Sequence, residues 1–131
     1  MRDIKYIVVH CTGTPKNTSI ASIQRYWRNV KKWKNPGYHF IIENDGNLVK
    51  LLDVDKVSNG VRGYNSKSIH ICYIGGEHED DRTFEQKEAL ENALTIIKSF
   101  CPKAQIKGHR DFPNVVKSCP QFNAIDEYEH L

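Results

Sequence analysis

No apolar run in the sequence approaches the roughly 18 residues that a membrane-crossing helix requires, so no membrane span is expected. Strong charge of either sign is also missing: 19 basic against 16 acidic residues leave a formal +3, too mild to call for nucleic acid as a partner. The four cysteines, Cys11, Cys72, Cys101 and Cys119, contain no CxxC pair, and neighbours such as Val9, Ile71, Tyr73 and Phe100 read as buried structure. Reduced thiols are therefore expected rather than a disulfide framework. Internal repeats, low-complexity tracts and breaks in composition are lacking too, so residues 1–131 are expected to form one domain. The N-terminus enters a strand-like run at once, without an apolar core followed by a small-residue cleavage site, which leads us to expect synthesis in the cytoplasm.

What is present reads as strands with interspersed helices. Ile4 to Val9 is β-branched and aromatic and ends at His10, before the loop Cys11-Thr12-Gly13-Thr14-Pro15; a central strand would carry His10 to its mouth. Thr18 or Ser19 can cap a helix whose apolar face is Ile20, Ile23, Trp27 and Val30, stopping before Asn35-Pro36-Gly37. Tyr38 to Glu43 and Asn47 to Leu52 form an antiparallel pair turned at Asp45-Gly46, and Ser68 to Ile74 a buried strand closed by Gly75-Gly76. The acidic run Glu77 to Asp81 reads as a solvated loop. Thr83 with Gln86 makes a capping box, and Leu90, Ala93, Leu94, Ile97 and Phe100 trace one face of the helix that follows. Pro102 ends it, Ala104 to Lys107 is a short last strand, and Gly108-His109-Arg110-Asp111 opens a loop running to Cys119-Pro120. The fold class expected is α/β: a mixed central sheet with helices packed on its faces, without the regular alternation of a doubly wound fold.

Three residues stand out chemically. His10 follows the first strand, His109 the last, and Cys119 comes ten residues later. Zinc accepts two imidazoles and a thiolate, and three protein ligands leave a fourth tetrahedral position, as catalytic sites require. By spacing alone, however, a histidine at a strand end is more often a hydrogen-bonded structural residue, and that reading outweighs the metal.

The surrounding text changes the balance. Val8-Val9-His10-Cys11-Thr12, Pro36-Gly37-Tyr38-His39-Phe40-Ile41-Ile42, Asp45-Gly46, Ser68-Ile69-His70-Ile71-Cys72-Tyr73-Ile74-Gly75-Gly76, Gly108-His109-Arg110-Asp111 and Lys117-Ser118-Cys119-Pro120-Gln121-Phe122 occur in this order. Together they resemble the N-acetylmuramoyl-L-alanine amidase family of phage lysozymes of the T7 type and peptidoglycan recognition proteins, over nearly the whole chain and with short phage or prophage amidases as the nearest look. The resemblance implies that His10, His109 and Cys119 bind zinc and that Tyr38 and Lys117 form the catalytic pair. It also implies hydrolysis of the bond between N-acetylmuramic acid and L-alanine in peptidoglycan or a released muropeptide, with endolysin-like action on the wall after release or export. Lys117 would stabilise the tetrahedral oxyanion and Tyr38 position the attacking water or relay its proton. A monomer is expected, and no regulatory protein partner can be named from the sequence.

Two departures from that pattern touch substrate recognition. Many relatives carry Gly-Ala-His ahead of the Asn-Ser segment, where this chain reads Ser58-Asn59-Gly60-Val61-Arg62-Gly63-Tyr64-Asn65-Ser66, so a pocket histidine is missing. His70 stands where the following strand usually has glycine; strand alternation sets it opposite Ile69 and Ile71, and we expect it to face outward rather than re-enter the cleft. Arg62 and Asn65 become candidates for binding stem-peptide carboxylates or sugar groups, Arg62 through its planar fork. A regular strand would turn His39 away from Tyr38, making it a packing residue, while His78 and His130 read as bystanders and Arg28, Lys31, Lys32 and Lys34 as an exposed helix side. Competing functions are a non-catalytic peptidoglycan-binding module on the same fold, against which Cys119 and Lys117 speak, and a cysteine peptidase, against which the opposed faces of His10 and Cys11 speak.

Overall fold

Period-two alternation along two β-branched strands organises the fold, which a computed structural model describes for residues 2–131. The strands are β1 (Tyr6–Cys11), β2 (Phe40–Ile42), β3 (Leu48–Lys50), β4 (Ser68–Tyr73) and β5 (Gln105–Gly108); the helices are α1 (Ile20–Asn29), α2 (Phe84–Phe100) and α3 (Ala124–Glu127). They form one mixed sheet in the order β3-β2-β4-β1-β5. β1 runs parallel to both β4 and β5, β2 parallel to β4, and only β3 antiparallel, paired to β2. The expected architecture is thus present, with helices on both sheet faces.

β1 and β4 are central and parallel, and a parallel strand is covered on both sides, which explains why every residue from Ile7 to Cys11 and from Ser68 to Tyr73 is buried. One face carries Ile7, Val9, Ile69, Ile71, Tyr73 and Ile42 against Leu90, Leu94 and Ile97 of α2 and Tyr128 just after α3. Burying such side chains fully stabilises by about 1.5–3 kcal/mol each, so this layer is the main store of folding energy. The opposite face carries Val8 and His10 on β1, His70 and Cys72 on β4, and Ile41 on β2. α1 covers part of it, Ile23 and Trp27 packing with Ile41, Cys72 and Ile74.

α2 begins at the capping box read from the sequence: Gln86 N–H donates to Thr83 Oγ1 and Thr83 N–H to Gln86 Oε1, both at 3.0 Å. Ser19 caps α1, its Oγ accepting from Ser22 N–H at 3.1 Å. The strands are shorter than the β-rich runs suggested. β2 and β3 keep three residues each, and Ile4 and Lys5 lie outside β1. Val30 and Phe100 extend the apolar periodicity but lie at helix ends, 63% and 44% exposed, because each helix outruns the surface it packs on. The acidic loop is only partly free, since Asp80 and Glu127 hold the Arg82 guanidinium at 2.9 and 2.7 Å. Arg82 lies flat over Phe122, 3.5 Å from the ring centre, tying the segment before α2 to α3. Burial works against its charge, yet the hydrogen bonds to Glu127 and Asp80 keep it above the ordinary arginine range.

Candidate metal centre

His10 is the fifth residue of β1, on the face away from α2, and is 1% exposed. His109 directly follows β5, the other parallel neighbour of β1, in a short 3-10 turn spanning His109–Asp111. Cys119 returns to the same place along the loop: Arg110 N–H donates to the Cys119 carbonyl at 2.8 Å, and Tyr73 Oη donates to the Pro120 carbonyl at 2.7 Å. Gly108 makes the approach possible, because a Cβ there would sit 2.7 Å from Pro120 Cδ. One nitrogen from each histidine and Cys119 Sγ lie within 4.8 Å of one another, so the three residues that the sequence singled out converge.

Burial sets their charges. Desolvation, followed by the fields of His70, His109 and Lys117, pushes His10 well below the ordinary histidine range, and burial with Lys117 brings His109 to about 4. Both are therefore neutral near pH 7 and can offer a lone pair. Cys119 Sγ accepts the Cys11 backbone N–H at 3.2 Å and lies 4.0 Å from His10 Nδ1. Its contact with Cys11 and its burial push the thiol well up, so it holds its proton until a cation displaces it. All four cysteines are free thiols, as expected.

Of the three donors His109 lines a cleft of about 840 Å³, together with Tyr38, Arg62, Asn65 and Lys117, and with Trp27 and Trp33 toward α1. Tyr38 packs its ring 4.8 Å from that of His10 and 5.4 Å from Trp27. Burial, then the nearby Cys72, raises its phenol well above 10, so it stays protonated. Lys117 and Arg62 are exposed on the lining. Asn65 also lines the cleft, but its Oδ1 is occupied, accepting from Gly60 N–H at 3.1 Å and Val61 N–H at 2.8 Å. Only its amide nitrogen is available to a ligand.

Two orientations differ from the sequence reading. His70 does not face outward: it is fully buried on the cleft side, Nδ1 2.9 Å from His10 Nε2 and Nε2 2.9 Å from Asn65 Oδ1. Alternation correctly set it opposite Ile69 and Ile71, but the face it joins is covered from solvent, His70 lying beneath Gly60 and Asn65 of the cleft lining. The strand at Tyr38 is not regular either, since β2 starts at Phe40, and Tyr38 and His39 both reach the cleft side. His39 is nevertheless a packing residue, stacked on His70 at 6.1 Å, with Nδ1 accepting the His70 backbone N–H at 3.0 Å and Nε2 donating to the Lys56 carbonyl at 2.7 Å. His78 and His130 are surface residues paired with Glu77 and Glu91.

Residues 1–122 match the family described as N-acetylmuramoyl-L-alanine amidase. The chain belongs to that family. It is 36% identical over 121 residues to the endolysin of Enterobacteria phage K11, spanning 88% of this chain and 79% of that one. With the endolysin of Escherichia phage T7 it shares 31% over 124 residues, 89% and 80% of the two chains. The fold of the amidase matches that of the endolysin LysCS from Clostridium intestinale, with a TM-score of 0.86 at 23% identity, covering 98% of this chain and 83% of the other.

Proposed function

We propose that this amidase hydrolyses the amide bond between N-acetylmuramic acid and L-alanine in peptidoglycan, with zinc held by His10, His109 and Cys119. The observation that carries this reading is the convergence of those donors from three separate segments, beside a cleft that His109, Tyr38 and Lys117 line. The donor set suits zinc: two neutral imidazoles and one thiol are borderline-soft ligands, and three of them leave a tetrahedral position open. Their 4.8 Å spread is within side-chain adjustment of the roughly 3.5 Å spacing that metal–ligand bonds of about 2.0–2.3 Å impose. When bound, zinc supplies Lewis acidity, which lowers the pKa of water toward about 7 and polarises an amide carbonyl.

The chain's own residues do the rest. Cys119 gives up its proton and contributes a negative charge that offsets part of the cation's. Lys117, two residues away, offers a fixed positive charge to the oxyanion that grows on the carbonyl oxygen as water adds. Tyr38, protonated and packed on His10, donates a hydrogen bond that orients the attacking water; it is too weak an acid to act as a phenolate base. The proton released by that water ends on the departing L-alanine nitrogen. Trp33, backed by the buried Trp27, offers an apolar face to the substrate, and Arg62 can hold a stem-peptide carboxylate at two points.

The test is mass spectrometry of peptidoglycan digested with the purified protein. New free L-alanine amino termini, abolished by a chelator and restored by zinc, are expected. Cleavage at glycosidic bonds instead, or alanine termini produced equally well in chelator, would overturn the reading.

A further inference from the structure

Beneath the cleft lining lies an imidazole that the proposed chemistry leaves unused. His70 lies on β4 in register with Val8, fully buried, between His10 on one side and Asn65 on the other. The direction of each hydrogen bond in this chain is fixed from its far end. Asn65 Oδ1 accepts from the backbone N–H groups of Gly60 and Val61 at 3.1 and 2.8 Å, and since a backbone N–H can only donate, the atom there must be the oxygen. An oxygen 2.9 Å from His70 Nε2 requires a proton on Nε2. Neutral His70 then presents a bare lone pair at Nδ1, and His10 Nε2, 2.9 Å away, must be the donor. His10 is left with an unprotonated Nδ1, on the side where Cys119 Sγ lies at 4.0 Å.

We infer that His70, oriented by Asn65, is a positioning residue that fixes His10 in the Nε2–H tautomer and aims its Nδ1 lone pair at the metal. The metal consequence rests on the zinc reading above, whereas the tautomer does not. Gly60 belongs to the same device, because a Cβ at that position would lie 2.3 Å from His70 Nδ1 and force the ring away from His10. A histidine ligand whose second nitrogen is held needs no proton shift or ring flip on binding the cation, and loss of such a support typically weakens metal affinity about 10–100-fold. Using a neutral imidazole rather than a carboxylate as that support adds no negative charge beneath the cation and leaves more of its Lewis acidity for the carbonyl.

Long-range ¹H–¹⁵N correlation spectra of the metal-free wild-type protein, labelled at histidine, test the tautomer directly. Both His10 and His70 should carry their proton on Nε2 at neutral pH; a proton on His10 Nδ1 would overturn the inference. Zinc affinity, measured by competition with a chromogenic chelator, tests the consequence. His70→Phe fills the space without an acceptor and should weaken zinc about 10–100-fold. His70→Asn, whose Oδ1 can stand near the place of Nδ1, should recover most of that loss, which a purely structural role would not predict. A folded His70→Phe variant that binds zinc as tightly as wild type contradicts the proposal, and a wild-type protein that takes up no zinc overturns the metal reading itself.

Discussion

The two faces of the central sheet are both buried, yet they are filled in opposite ways. On the α2 side Ile7, Val9, Ile69, Ile71 and Tyr73 meet Leu90, Leu94 and Ile97, and the layer holds together by excluded water and close packing. On the cleft side the same two strands present His10 and His70, and His39 stacks beneath, so three imidazoles occupy space that hydrocarbon could have filled more cheaply. Buried polar groups persist only when hydrogen-bonded, and each of these rings has partners at 2.7–3.0 Å. One face therefore carries the stability and the other, arranged at some cost in stability, carries the candidate site. Parity along β1 and β4 divides the two tasks at single-residue resolution.

The comparison breaks most visibly at the ligands. Cys119→Ala should abolish zinc uptake and amidase activity, while the unfolding free energy of the metal-free protein changes by roughly 1 kcal/mol or less; retained stoichiometric zinc in that variant would speak against the donor set. Lys117→Ala should keep its zinc but lose about 10²-fold or more in kcat, the usual cost of removing one group that stabilises an oxyanion. A variant with unaltered kcat removes Lys117 from the mechanism. On the other face, Leu94→Ala should cost about 2–5 kcal/mol in denaturant unfolding and leave zinc affinity unchanged in the folded protein.

A further effect is a slope with pH. His10, His39, His70 and His109 are all held below the ordinary histidine value, chiefly by burial, with His109 at about 4. Unfolded chains take up protons near pH 6.5 that the folded protein refuses, so the metal-free fold should lose stability progressively as the pH falls from about 6.5 toward 4. Urea midpoints across that range measure it. Leu94→Ala should shift the whole curve without changing its slope, and a flat curve for the wild type would mean that the imidazoles are not buried as described.

Much of this was legible in residue order, and the rest was hidden for identifiable reasons. The capping box at Thr83 and the β-branched run before His10 depend on neighbours a few residues away, so α2 and β1 could be read directly. The grouping of His10, His109 and Cys119 was legible only through the ordered motifs around them, because spacing along the chain carries no information about which loops meet. α3 went unread although Asn123, whose Oδ1 accepts from Asp126 N–H at 3.2 Å, is a conventional helix-capping residue; at four residues the helix is too short for periodicity to register. His70 was misjudged because alternation specifies a face and cannot say whether that face meets water. Gly60 was the available signal: a Cβ there would lie 2.3 Å from His70 Nδ1, so a glycine at this position leaves the volume that the His70 ring fills.

The central claim is that three side chains from distant segments grip one cation through His10 Nδ1, a nitrogen of His109 and Cys119 Sγ. Anomalous diffraction at the zinc edge from crystals grown with the metal tests it most directly. The account predicts one strong peak within about 2.0–2.3 Å of those three atoms, with His10 Nε2 still facing His70. No peak there, or a peak bonded to His10 through Nε2, would contradict it.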